Sequence, residues 1–387
     1  MDTKMATPRI KLAIGWLTMF LVGTDLFVCS PLLPLLAADY RISPAWAGSC
    51  VTTFSLSYMV AAPWLGHLSD RIGRRPVLIG SLLAFGGANL LTATAENLPS
   101  LLAVRLLAGA AAAGVSPSVY ALVGAAAPPD RRASWLAMVV SGLLASLALG
   151  ASVGGWIGAL FGWAPVFAGL AGFSLVLVWL NCRAWPRDSS PDDTARAPLH
   201  PLPAGALARR LMPTVLWSTG LYGMYTYLGA GLIAIRFSPG QVAEAILFFG
   251  CGAIVGALIG GCLADRLGSK YTAGASLAGL CACFFVLRFA FHAEILIDVS
   301  LGLSSAVAQL FFPAQQAGLA NDFPARRGSV LAWNNSALFL GISLGSVIGG
   351  KAVAIGGFEA NLAICAVISL IGCIINGIVV PGPTREG

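Results

Sequence analysis

Charge is what this sequence lacks most. Of its 387 residues only 10% are Asp, Glu, Lys or Arg, while 57% are hydrophobic and the mean hydropathy is +0.83. So few ionisable groups cannot cover the surface of a water-soluble fold of this length, which excludes a soluble enzyme and predicts a chain that lies in a bilayer. Histidine is scarcer still: His67, His200 and His292 stand in loops or at span ends, where they serve neither a proton relay nor a metal site. The nine cysteines are odd in number and sit mostly inside apolar runs, which excludes a disulfide framework. Cys281 and Cys283 have no His or second thiol pair nearby and read as small apolar filling. The pattern contains no metal-ligand cluster, no nucleophile beside a base and no phosphate-cradling loop away from the basic turns, so neither a cofactor nor an enzymatic reaction is expected.

What the sequence does have is long apolar runs. Twelve can be drawn, at 12–36, 46–67, 76–95, 98–123, 135–160 and 164–182, then at 211–235, 242–264, 272–291, 295–319, 330–354 and 357–380. Each is long enough to cross the roughly 30 Å of hydrocarbon as a helix. The first is too long for the core of a signal peptide and is expected to stay as a span. Between the sixth and seventh runs, Pro186, Pro191, Pro198, Pro201 and Pro203 alternate with Asp and Ser, a composition that cannot bury enough apolar surface to order itself. This divides the chain into an N-terminal six-helix bundle (1–185), a cytoplasmic linker (186–208) and a C-terminal six-helix bundle (209–387).

The net charge of +7 is topological. With a cytoplasmic amino terminus, all but Arg41, Arg105, Arg236, Arg288 and Lys351 of the 23 basic residues face inward. The positive-inside rule then places both termini in the cytoplasm, and scattered inward charges argue against nucleic-acid binding.

The chain is also duplicated. Gly66-His-Leu-Ser-Asp70-Arg71-Ile-Gly73-Arg74-Arg75 returns, worn, 195 residues later as Gly261-Cys-Leu-Ala-Asp265-Arg266-Leu-Gly268-Ser-Lys270. The same offset carries Pro129, Arg131, Arg132 and Ser134 onto Pro324, Arg326, Arg327 and Ser329, and Gly150, Gly154 and Gly155 onto Gly345, Gly349 and Gly350. One spacing shared by three markers between apolar runs makes the repeated unit a set of membrane helices. Small residues recur every four positions at Gly142, Ser146, Gly150, Gly154 and Gly158, and at Ala337, Gly341, Gly345 and Gly349, letting helix backbones approach closely. Such stripes suit static packing or a sliding surface equally.

Gly66 to Arg75 resembles the loop signature of the major facilitator superfamily, with every position of the pattern met. Gly23-Thr-Asp25 through Pro34, Tyr225-Thr226-Tyr227, Phe249 to Gly256, Pro313-Ala-Gln315-Gln316 and Asn334-Asn335-Ser336 narrow the similarity to its proton-coupled drug and sugar efflux branch. The resemblance implies an all-α membrane protein with twelve transmembrane helices in two pseudo-symmetric bundles, in a bacterial inner membrane. It further implies a monomer that exports a small amphipathic or polar solute, drug-like, sugar or nucleoside, in exchange for protons by alternating access. It makes Gly66, Asp70, Arg71, Gly73, Arg74 and Arg75, with Asp265 and Arg266, a latch between the bundles, in which Gly66 and Gly73 permit close backbone approach. Two positions depart from the pattern. Ala108 stands where Gln is usual, and Ala151 replaces the proline of the antiporter motif. The rival readings are a facilitator without proton coupling and a membrane sensor on the same scaffold.

Asp25, near the middle of the first span, is the clearest intramembrane acid, and a carboxylate there is costly unless paired, hydrated or protonated. Arg105 enters the fourth span at a matching depth and is its natural partner, so the two are expected to carry proton coupling. Tyr58, Tyr222, Tyr225, Gln315, Asn334 and Asn335 are the expected substrate-binding residues. Amides and hydroxyls face a wet interior more readily than lipid.

Overall fold

Proline and glycine determine where each apolar run bends and stops. The computed structural model describes residues 7–128, 131–186, 204–290 and 294–378, which are helical with short connections. Helix α1 runs as Pro8–Phe27 and Cys29–Asp39, broken at Val28. A single turn, Pro44–Ala47, leads into α2 (Ser49–Ile72), followed by α3 (Arg74–Ala93) and α4 (Leu98–Ala126). Helix α5 combines Arg132–Ala145, a π-turn at Ser146–Gly150 and Ala151–Phe161, and α6 (Ala164–Ala184) ends the first bundle.

The second bundle holds α7 (Ala204–Ala234), α8 (Pro239–Leu267), α9 (Ser269–Ala290) and α10, which is Glu294–Gln309 plus Phe311–Asp322. The last helical stretch, Arg327–Ile378, is divided by Gly356 and by Gly357 at φ +69° into α11 (327–355) and α12 (358–378). Helix α7 starts ahead of the apolar run expected at 211, so only residues 186–203 of the expected linker stand between α6 and α7, and of these 187–203 lie outside the described residues.

The repeat governs local geometry as well as sequence. Gly73 and Gly268, equivalent at the 195-residue offset, end α2 and α8 at φ +94° and +92°, a conformation that a side chain would strain. Arg41 and Arg236 are equivalent too, following α1 and α7 at φ +53° and +73° without being glycine. Each is followed by a Ser-Pro start, Ser43-Pro44 and Ser238-Pro239, whose serine hydroxyl caps the next helix. Gly66, by contrast, has open space where a Cβ would stand, so the expected close backbone approach does not occur there.

The four-residue stripes work inside the bundles. A Cβ on Gly142, Gly150, Gly154 or Gly158 would meet Trp16, Thr24, Val28 or Leu32 of α1, and one on Gly341, Gly345 or Gly349 would meet Ser218, Thr219 or Gly223 of α7. They are therefore packing seams between helices of the same bundle. Close packing across the bundles falls on other residues: Gly250 of α8 packs on Ala148 of α5, and Gly155 of α5 faces Ala243 of α8.

Several contacts that cross between the bundles lie at the membrane midplane and on the side of it away from the described ends of the chain. Pro31 has no N–H to give the carbonyl of Phe27, one turn back, and Tyr225 Oη of α7 donates to that carbonyl at 2.9 Å. Pro34 likewise frees the carbonyl of Ser30, against which Gly229 of α7 packs its backbone. Ser30 Oγ donates back to the carbonyl of Tyr225. Ser30 and Tyr225 are themselves equivalents at the 195-residue offset, so the two repeats meet here on their pseudo-twofold axis. Farther out, Ser346 Oγ of α11 donates to the carbonyl of Gly48 at 2.8 Å, and Gly350 stands against Tyr227 and the backbone of Ala45. The half of the central path on the side of Gly48 and Ser346 is closed in this conformation.

Candidate functional site

Depth along two helices brings Asp25 and Arg105 together. An Asn97–Ser100 capping box fixes the N-terminal end of α4, with Ser100 N donating to Asn97 Oδ1 at 3.0 Å, and Arg105 follows about 12 Å along the helix. Asp25 lies one turn before the break in α1. The guanidinium grips the carboxylate with both arms, Nη1 to Oδ1 at 2.8 Å and Nη2 to Oδ2 at 3.0 Å. The residues are 1% and 0% exposed. The guanidinium lies over the rings of Phe54 at 4.7 Å and Phe167 at 5.4 Å, which gives its charge a further partner in a dry setting. Because α1, α2, α4 and α6 all contribute to this enclosure, the pair sits within the N-terminal bundle and is sealed from the space between the bundles.

That space is walled by α1, α2, α7 and α11 through Leu26, Phe27, Ser30, Val51, Tyr222, Tyr225, Thr226 and Ile342. In this closed state it has room for about one water. Its wall is aromatic and uncharged. Phe27 stacks on Tyr222 with centroids 6.0 Å apart and meets Tyr225 edge-on at 5.9 Å. The polar atoms of Ser30, Tyr225 and Thr226 are engaged with backbone carbonyls. Below the midplane Tyr58 of α2 stacks on Phe339 of α11 at 3.6 Å, and its hydroxyl accepts a bond from Asn335 Nδ2 at 3.3 Å. This aromatic-amide contact joins the bundles just inside the cavity.

The expected substrate residues therefore separate. Tyr222 and Tyr225 line the cavity, and Tyr58 and Asn335 bridge the bundles beside it. Asn334 and Gln315 are turned away, contrary to the sequence reading. Asn334 Oδ1 accepts from Thr214 of α7 at 2.7 Å, and Gln315 Nε2 donates to the carbonyl of Arg210 at 2.7 Å, so both tie helices of the C-terminal bundle to one another. Adjacent asparagines on one helix point about 100° apart, and only one of them can face the centre.

Of the latch residues, Arg75 donates to the carbonyl of Cys182 at 2.7 Å within its own bundle. Arg71, Asp265 and Arg266 are exposed, Arg74 is half-buried, and among the described residues none of the four has a contact recorded to the other bundle. Asp70 stands in the last turn of α2, and its side chain lies outside the described residues. Sequence reasoning missed Phe27, Ser30, Val51, Thr226 and Ile342. The signal for the first two was the spacing of Pro31 and Pro34, which exposes carbonyls one turn earlier.

Twelve helices in two like bundles, meeting around a midplane cavity, define a multi-pass membrane transport protein. The Major Facilitator Superfamily model matches residues 15–235 and 218–387, and the chain belongs to that superfamily. It is 29% identical over 340 residues to the uncharacterized MFS-type transporter YceJ of Bacillus subtilis, covering 86% of each chain. It is also 27% identical over 269 residues to a chloramphenicol resistance protein of Streptomyces lividans, covering 68% of each. The crystal structure of a D-xylose-proton symporter superposes with a TM-score of 0.83 at 17% identity, over 97% of this chain and 98% of that one, which shows the fold. The protein is a secondary transporter and not an enzyme.

Proposed function

We propose that this transporter exports a small, uncharged amphipathic or polar solute across a bacterial inner membrane in exchange for protons, with both termini in the cytoplasm. The observation that carries the reading is the pairing of an aromatic, uncharged cavity between the bundles with an acid-base pair at the same depth. The solute binds among Phe27, Tyr222 and Tyr225 when the outer contacts part, and Tyr58 with Asn335 forms the inner wall. The name of the chloramphenicol resistance relative supports export of a neutral aromatic compound. In the opposite state Asp70, Arg71, Arg74 and Arg75, with Asp265 and Arg266, close the cytoplasmic side.

Proton exchange at Asp25 requires separation from Arg105, because a protonated carboxyl would leave the guanidinium buried without a counter-charge. In the closed state Asp25 is therefore the ionised partner, and coupling works when movement of α1 against α4 admits water. Enclosure of the pair within one bundle favours a second reading, in which it braces the bundle and transport is uncoupled. Vesicles of the reconstituted protein decide between them. A pH gradient drives chloramphenicol accumulation through the wild type, and Asp25→Asn abolishes the gradient dependence while leaving solute exchange at equilibrium. Gradient-driven transport by Asp25→Asn at the wild-type rate refutes the coupling role, and its absence in the wild type favours the facilitator.

A further inference from the structure

Arg41 and Arg236 break three rules at once. They are cations on the outer side of a chain in which 18 of the 23 basic residues lie inward. They occupy the left-handed conformation that follows a helix end, φ +53° and +73°, where glycine or asparagine is at home. Both are exposed, and their backbone N–H groups close the turn on the carbonyls of Ala38 and Ile233, but among the described residues neither guanidinium has a hydrogen bond or ion pair. Asp39, the acid nearest to Arg41 along the chain, instead accepts a bond from Trp163 Nε1 at 2.8 Å. A single such residue would pass as an accident of a loop. Here both copies of the repeat have it, in the same turn, closed by the same backbone bonds, Ile42 N to the carbonyl of Ala37 and Phe237 N to that of Leu232, each at 3.0–3.1 Å.

The pseudo-twofold axis fixes where the two cations stand. Ser30 and Tyr225 meet on that axis, and the same number of residues leads from each to Arg41 and Arg236, so both arginines emerge about 16 Å farther out. That depth is where helices leave the hydrocarbon. Trp46, 63% exposed, and Ile235, 37% exposed, place apolar surface beside the arginines at that level. A guanidinium at an interface, with no protein acid to hold it, suits a phosphate oxygen pair.

We propose that Arg41 and Arg236 are a paired binding site for the phosphate groups of acidic phospholipids in the outer leaflet, one on each bundle, tethering the outer ends of α1 and α7 to the membrane surface. Attraction of anionic headgroups to each arginine offsets the backbone strain at its left-handed turn. The site is independent of the solute cavity and of Asp25.

The test uses the full chain in nanodiscs of phosphatidylcholine alone or mixed with phosphatidylglycerol. Native mass spectrometry reads phosphatidylglycerol retained by the wild type, by Arg41→Gly/Arg236→Gly and by Arg41→Lys/Arg236→Lys. Inward basic residues bind lipid in all three, so the quantity read is the difference. Glycine fits the turn, so the double glycine variant folds, melts no lower than the wild type in pure phosphatidylcholine and retains phosphatidylglycerol about tenfold or more weakly. The lysine variant keeps part of the retention. Equal retention by the glycine variant overturns the proposal. So does equal protection of the wild type by glycerol phosphate in lipid-free detergent, which would make the ligand a free anion.

Discussion

Removing the charge of Asp25 isolates what the buried ion pair does. In Asp25→Asn the side chain keeps its size and one acceptor, but Arg105 loses its counter-charge and one of the two bonds, at 2.8 and 3.0 Å, in a site that water does not reach. The Phe54 and Phe167 faces compensate in part, by roughly 0.5–2 kcal/mol each. An uncompensated buried charge costs about 3–5 kcal/mol, which is roughly two to four orders of magnitude in the folding equilibrium. The assay is thermal unfolding of the purified protein in detergent, followed by dye labelling of buried cysteines. Cys29 reports directly, since its sulfur lies 3.8 Å from Arg105 Nη2. A second variant separates charge from shape. Asp25→Leu with Arg105→Met removes both charges and leaves no orphan, so it should recover most of the stability that the single variant loses. Asp25→Asn melting with the wild type would refute the reasoning, since the charge would then be satisfied by something other than this carboxylate. If the double variant is stable and still transports against a pH gradient, the pair is a brace and the proton passes elsewhere.

Other substitutions test the seal and the sorting of the amides. Tyr225→Phe leaves the Phe27 carbonyl, already freed by Pro31, without its donor, at a cost of about 1–3 kcal/mol. It should shift the protein toward the outward-open state, read as faster labelling of Ser30→Cys by an impermeant maleimide from outside. Gly250→Leu drives a side chain into the backbone of Ala148 and should slow solute exchange by at least tenfold while the bundles stay folded, read by circular dichroism beside transport. Asn334→Leu strands Thr214 inside the C-terminal bundle and should lower the melting temperature, whereas Asn335→Leu should change solute affinity with little effect on melting.

The sequence carried the architecture far better than it carried side-chain direction. Hydropathy and the 195-residue repeat marked the two bundles because lipid imposes length and composition on every span. Even so, α2 and α7 fall below the hydropathy of an ordinary span, since their serines, threonines and tyrosines face neighbouring helices rather than lipid. Depth was legible too: counting residues along α1 and α4 was enough to pair Asp25 with Arg105, because rise per residue is fixed. Rotation about the helix axis was not legible. Asn334 and Asn335 are equally polar and adjacent, and only the neighbours that α7 and α2 supply, Thr214 for one and Tyr58 for the other, decide which is structural. The stripe at Gly142 to Gly158 announced close packing without naming the partner, and its partner is α1 rather than the opposite bundle.

Duplication explains why the seal falls where it does. Two copies of one unit related by an axis must bring some pair of equivalent positions together on that axis, and here the pair is Ser30 and Tyr225. A residue on the axis faces its own counterpart, so if the copies were identical the contact would be Ser–Ser or Tyr–Tyr. Two tyrosines would overfill the space that now leaves room for about one water, and two serines would leave the Phe27 carbonyl without a donor. One small and one large residue, each donating to a carbonyl on the other bundle, satisfy both demands. The asymmetry of the copies is therefore a packing requirement at the axis. It predicts that Ser30→Tyr is disruptive, whereas Ser30→Tyr combined with Tyr225→Ser restores solute exchange toward the wild-type rate. Failure of the exchanged pair to improve on Ser30→Tyr alone, at equal membrane expression, would show that the neighbours Pro31 and Thr226 rather than the axis set the two identities.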